Sequence, residues 1–141
     1  MAKKLSEDFV RNSVIRWLKQ KGYDKDLKVK SGKEPGVDIK VRNNLSAEEF
    51  FVETKGDPDK PGTRTGFFLG ALGQIITRMK PEAVRKYAIA FPKSYSEIAL
   101  SRISWEVCKK LNLEVLLVNE NGEVEEKTWE DIKLGYYREV T

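Results

Sequence analysis

Three side chains on two short stretches carry most of the chemistry that this sequence can offer. Asp38 lies in Pro35-Gly-Val-Asp-Ile-Lys-Val41, and Glu53 and Lys55 lie in Phe50-Phe-Val-Glu-Thr-Lys-Gly56. Both stretches alternate apolar and charged positions, the period of a strand with one buried face. Val37, Ile39 and Val41 are expected to point one way and Asp38 the other. Phe50, Val52 and Thr54 share a face, with Glu53 and Lys55 opposite. If the two strands are neighbours, about 4.8 Å apart, two carboxylates and an ammonium converge at the edge of an apolar core. That set can hold a hard cation and a phosphate.

Composition narrows the chemistry further. The chain has no histidine and a single cysteine, Cys108, which excludes Cys/His zinc sites, a histidine-based triad and an internal disulfide. A bound metal would have to be hard and oxygen-liganded, so Mg2+ or Mn2+. With 141 residues, 40% of them hydrophobic, the chain is expected to form one domain over 1–141. Lysine and arginine crowd the front and acidic residues the tail, a polarity that suits a polyanionic partner. No apolar run reaches the roughly 18–20 residues of a membrane span and no secretory signal opens the chain, so a cytoplasmic protein without membrane contact is expected.

The elements that must position these residues follow in order. Ser6 to about Lys21 has helical periodicity, Ser6 as N-cap and Glu7 and Asp8 in the first turn. Val10, Val14, Trp17 and Leu18 form its apolar stripe, and Glu7 projects into the same stripe one turn earlier. Gly22 ends this helix, Leu27–Lys30 forms a short strand, and a turn-forming loop leads through Gly36 to the Asp38 strand. Asn43-Asn44 is a turn before the Glu53 strand.

A Gly- and Pro-rich loop over 56–66 follows, placing Lys60 and Arg64 where a phosphate backbone would pass. The next helix is predicted from about Phe67 to Met79, stopped by Pro81. Phe68, Leu72, Ile75, Ile76 and Met79 form its buried side. Gly70, Gln74, Thr77 and Arg78 form the other, where glycines allow close approach and Gln74 and Arg78 can reach DNA.

Lys86–Phe91 is a doubly covered strand, and Ser94 with Glu97 forms a capping box for a third helix running to Leu111. That helix buries Leu100, Ile103, Val107 and Leu111. Ile98 and Trp105 lie opposite as an apolar patch suited to a homodimer, unless a C-terminal segment with Trp129 covers them. Glu114–Val118 is a further buried strand and Asn121-Gly122 a turn. The acidic remainder adds a hairpin strand or short helix.

Glu7 in a first helix, Gly36-Val-Asp38, and Val52-Glu-Thr-Lys55 together resemble the PD-(D/E)xK motif of the restriction-endonuclease-like nuclease superfamily. The resemblance spans about residues 5–118, with 119–141 as an acidic C-terminal extension, and implies an α/β fold with an α-β-β-β-α-β core. Gln74 is similar to the glutamine that many branches carry after the E-x-K strand. The motif's proline is displaced to Pro35, leaving Val37 before Asp38.

What the resemblance implies is a Mg2+-dependent DNA endonuclease, with Mn2+ as substitute. Asp38 and Glu53 would bind the metal directly, the Thr54 backbone carbonyl would be a further ligand, and Glu7 would act through a water. Lys55 would orient or deprotonate the attacking water or offset transition-state charge. Lys60, Arg64, Gln74 and Arg78 would contact double-stranded or branched DNA, and a homodimer would cut both strands. Cleavage of restriction or homing type competes with resolution of Holliday junctions, as in the compact archaeal resolvases. A non-catalytic DNA-binding subunit is the alternative of another class.

Overall fold

The computed structural model describes residues 3–30, 36–80 and 84–140, with side chains to residue 135; Pro35 and Pro81 lie outside the described residues. Helix α1 spans Glu7–Gln20, and the Ser6 hydroxyl accepts a hydrogen bond from the Phe9 amide, as the N-cap reading requires. Gly22, at φ +90°, then turns the chain in a backbone state that side chains rarely adopt. Strands β1 (Tyr23–Val29), β2 (Ile39–Asn43) and β3 (Glu49–Thr54) form an antiparallel meander. β1 begins four residues before the predicted Leu27 and is bulged near Asp26, which has φ +54°.

Helix α2 (Arg64–Thr77) crosses over to β4 (Arg85–Pro92), parallel to β3. Helices α3 (Ser96–Arg102) and α4 (Trp105–Leu111) lead to β5 (Leu113–Val118), parallel to β4. A hairpin adds β6 (Val124–Lys127), and α5 (Trp129–Val140) follows. The sheet order is β1-β2-β3-β4-β5-β6. The expected α-β-β-β-α-β core is present in an α/β fold with a mixed sheet flanked by helices.

Two apolar layers sandwich this sheet. On one side, Val10, Val14 and Leu18 of α1 pack on Ile39, Val41, Phe50, Val52, Ala88, Ala90, Leu116 and Val118. On the other, α2 to α5 cover Phe51, Tyr87, Ile89, Phe91, Val115 and Leu117. β3, β4 and β5 are therefore buried at nearly every position, whereas β2 alternates between buried and half-buried residues.

Several expectations need correction. α2 starts at Arg64, not Phe67, because a single 3-10 turn over Pro61–Thr63 feeds directly into it. Its buried side centres on Phe68, Ala71 and Ile75, while Ile76 is 43% exposed. The third helix is two helices. Ile103 is extended, and Ser104 caps α4 by accepting from the Val107 amide. The break rotates the second half, so Cys108 is buried and Val107 exposed.

Ser94 and Glu97 form no capping box, since the Ser94 hydroxyl donates to Asp57 Oδ1 at 2.6 Å. Val37 packs on the α2 side, opposite Ile39, because the chain bends ahead of β2. Ile98 and Trp105 are no open patch: Trp105 stacks on Trp129 of α5 with ring centroids 6.0 Å apart, and Ile98 packs against the core.

Candidate active site

The register of the meander explains why Asp38 and Glu53 meet. Ile39 pairs with Val52, so Asp38, one step before β2, lies across from Glu53, one step further along β3. Asp38 Oδ2 accepts two hydrogen bonds from Thr54, from its amide at 2.8 Å and its hydroxyl at 3.1 Å. Thr54, expected to supply a carbonyl, thus clamps the neighbouring carboxylate with its two donors.

Glu53 is only 2% exposed, and its Oε1 has no hydrogen-bond partner among the described residues. The nearest cation is Arg78, whose Nε is 3.7 Å from Oε1, too far for a hydrogen bond and itself without one. Burial, then the charge of Asp38 and a hydrogen bond with it, push the Glu53 carboxyl up to about 8 against the opposing pull of Arg78 and Lys30.

These carboxylates face a cleft of roughly 620 Å3 lined by Glu7, Arg11, Lys30, Lys55 and Gln74, among others. Lys55 follows β3 directly, and its amide is fixed by a 3.0 Å bond to the Ala90 carbonyl. Its ammonium stands 5.8 Å from the centre of the Phe67 ring and makes no ion pair among the described residues. Glu7 lies at the exposed mouth of the cleft, not inside the apolar stripe as expected. Partial burial and the charge of Asp38 raise its carboxyl above the ordinary range.

What brings Glu7 here is the loop after β3. Gly56 packs against the start of α1 so closely that a Cβ would lie 2.3 Å from the Glu7 amide nitrogen. The Asp57 amide donates to the Leu5 carbonyl at 2.7 Å, and Asp57 Oδ2 accepts from the Leu5 amide at 2.9 Å. Buried Tyr95 donates its hydroxyl to the Gly56 carbonyl at 2.8 Å. This loop therefore clamps the strand that carries Glu53 and Lys55 to the helix that carries Glu7.

The expected DNA-contacting residues divide. Gln74 lines the cleft with its Oε1 buried and without a hydrogen-bond partner among the described residues, and Arg78 stands beside Glu53. Arg64 does not face the cleft. It lies 3.5 Å from Asp57 Oδ1 and over the Tyr95 ring, 6.0 Å from the ring centre, because α2 begins with it. Lys60 is exposed and gives its carbonyl to Thr63. A Cβ at Gly66, Gly70 or Gly73 meets nothing within 4 Å among the described residues, so these glycines do not pack against the sheet and leave the surface of α2 open to a close approach from outside.

Sequence reasoning missed Lys30, Asp57, Tyr95 and the close approach at Gly56. Lys30 was legible in principle, since it lies directly across from Asp38 once β1 and β2 are paired. The other three depend on contacts between segments far apart in the chain.

Two carboxylates meet in the cleft, and a buried carboxylate oxygen with no hydrogen-bond partner among the described residues, next to a second carboxylate, calls for a cation or a proton. The pair therefore fits a hard divalent ion, with Asp38 and Glu53 as its holders. No group of three or more His, Cys, Asp or Glu side chains gathers as a metal site among the described residues, although Glu7 lines the same cleft as the pair.

Fold and cleft together define a class: an α/β domain with a carboxylate pair at the end of a sheet and a free ammonium beside it. Among solved structures, the chain is similar to an XisH family protein from Nostoc punctiforme PCC 73102. The TM-score is 0.56 and the identity 18%, over 86% of this chain and 99% of that one. It is also similar to an fdxN element excision controlling factor protein from Anabaena variabilis, with a TM-score of 0.46 and 17% identity over 86% and 98% of the two chains. At such identity the likeness to the Nostoc protein shows the fold. No family model matches the sequence, and no curated protein does. No helix among the described residues is long and apolar enough to cross a membrane.

Proposed function

We propose that this protein is a metal-dependent DNA endonuclease of the restriction-endonuclease-like, PD-(D/E)xK kind, hydrolysing phosphodiester bonds. The observation that carries this reading is the buried Glu53 carboxylate, set against Asp38 at the floor of an open cleft with the free ammonium of Lys55 beside it. A structural role explains such a set poorly. Burying a carboxylate next to another is costly, and the ion pair that Arg78 offers Glu53 is loose at 3.7 Å, with no closer one among the described residues. A surface ion pair between Glu53 and Lys55 is excluded by the burial of Glu53.

Asp38 and Glu53 would hold Mg2+ or Mn2+, which when bound polarises a phosphate oxygen and acidifies water. Thr54 fixes the orientation of Asp38 through two donors, so one carboxylate is aimed before anything binds. Lys55 would stabilise negative charge building on the phosphate as the ammonium, or, as the neutral amine, take the proton of the attacking water. Gln74 offers an amide to the same space, and Arg78 and Arg11 add positive charge to a cleft that must admit a polyanion.

Cleavage of linear duplex, supercoiled plasmid and four-way junction with Mg2+ or Mn2+ tests the reading and sorts its substrates. Products from duplex or plasmid support an enzyme of restriction or homing type, and preference for the junction supports a resolvase. DNA binding without cleavage of any form would favour a non-catalytic subunit.

A further inference from the structure

The cleft holds a second lysine that the proposed reaction leaves unused. Lys30 follows β1, and its amide donates to the Asp38 carbonyl at 2.9 Å, extending the ladder in which Val29 pairs with Ile39. This register fixes Lys30 directly across from Asp38, on the side away from Lys55. Its side chain is only 20% exposed, and its Nζ is 4.0 Å from Asp38 Oδ1. A charge-assisted structural bond would close to about 2.7–2.9 Å, so the ammonium faces the carboxylate without being committed to it. Asp38 does not need Lys30 for orientation, since its other oxygen is clamped by Thr54. Arg11 is already paired with Asp8 at 2.5 Å, whereas Arg78 stands 3.7 Å from Glu53, not beside Lys30's partner Asp38, and makes no hydrogen bond to it.

Building on the nuclease reading, we infer that Lys30 is a positioning residue for the DNA backbone. With the carboxylates unloaded, its ammonium balances Asp38. A divalent cation at Asp38 repels an ammonium about 4 Å from the same carboxylate. The flexible four-carbon stem of lysine lets the charge move to a non-bridging oxygen of a phosphate beside the one being cut. Lys30 and Lys55 then grip the strand from opposite sides of the carboxylate pair.

The test uses the full chain with Lys30→Met, which keeps the length of the stem, and Lys30→Arg, which keeps the charge. Mn2+ affinity is measured by calorimetry without DNA. Affinity for a duplex oligonucleotide is measured by anisotropy in Ca2+, at several salt concentrations. For Lys30→Met the inference expects Mn2+ binding unchanged or up to ~10-fold tighter, duplex binding roughly 10-fold weaker, and a salt slope smaller by about 1. Lys30→Arg keeps the wild-type slope. A purely structural lysine would instead weaken metal and DNA together and lower the melting temperature. A wild type that binds both ligands, with Lys30→Met matching it in slope, overturns the role of Lys30 alone. A wild type that binds neither Mn2+ nor DNA overturns the nuclease reading and this inference with it.

Discussion

Gly56 sits against the backbone of Glu7, so that a single added methyl group would lie 2.3 Å from the Glu7 amide nitrogen and 2.7 Å from the Ser6 carbonyl carbon. The contact joins the end of β3 to the first turn of α1, which makes Gly56 the hinge on which the geometry of the cleft turns. Backbone cannot yield as a flexible side chain does.

Gly56→Ala should therefore destabilise the fold by roughly 1–3 kcal/mol, in the range of overpacking against rigid neighbours. Gly70→Ala and Gly73→Ala should do the opposite. Both glycines are helical and their Cβ positions open into free space, so alanine gains about 0.5–1 kcal/mol of helix propensity. Urea unfolding of the three variants checks the signs. A stabilised Gly56→Ala would contradict the packing described here.

Arg64 illustrates a different prediction, because it is held by Asp57 and lies over Tyr95 instead of facing the cleft. Arg64→Ala should cost about 1–2 kcal/mol in stability, the scale of leaving a partly buried carboxylate short of a partner. The salt dependence of DNA binding should stay unchanged. Thermal unfolding and binding titrations at two salt concentrations separate these effects, and a flattened salt dependence would return Arg64 to the DNA contacts.

Glu53 makes stability depend on pH in a definite direction. Its carboxyl titrates near 4.5 when unfolded and near 8 when folded, so the folded state retains a proton that the unfolded chain gives up. The associated stability is fully present below about pH 4.5 and is lost as pH rises through about 8. Buried Glu114 is shifted the same way, by burial first, with Lys86 opposing at 3.6 Å.

In the presence of a chelator, the melting temperature should fall between pH 5.5 and 8.5. Glu53→Gln should remove its share of that pH dependence, on the order of a few kcal/mol of stability across the window. Loading Mn2+ at pH 7 should release a proton, visible as a binding heat that changes with the ionisation enthalpy of the buffer. An identical pH profile for wild type and Glu53→Gln would refute the burial of this carboxylate.

Much of this was legible in the sequence because it is local. The period-2 alternation of Ile39–Val41 and Phe50–Val52 set the faces of β2 and β3. Ser6, Gly22 and Asn121-Gly122 punctuated the chain where the structure does. Asp38, Glu53 and Lys55 could be expected together because an antiparallel pair whose Ile39, Val41, Phe50 and Val52 must share a buried face allows few registers. What could not be read was long-range or depended on a break in period. The loop at Gly56 and Asp57 reads from the sequence only as a Gly- and Pro-rich segment carrying Lys60 and Arg64, because its partners, Leu5, Ser94 and Tyr95, lie 37 or more positions away. The third helix reads as continuous until Ser104 is seen to cap a second one, and that break undid the assignment of Val107 and of the Ile98–Trp105 patch.

The most direct test of the central claim compares wild type, Asp38→Asn and Lys55→Ala in one pair of assays: Mn2+ titration by calorimetry, and the rate of Mg2+-dependent cleavage of supercoiled plasmid. Wild type should bind the ion and cut the plasmid. Asp38→Asn should lose both, because a neutral amide cannot replace a charged ligand of a hard cation. Lys55→Ala should bind the ion as wild type does yet cut at least ~10²-fold more slowly. A wild-type protein that takes up no Mn2+ and leaves every DNA form intact would contradict the account.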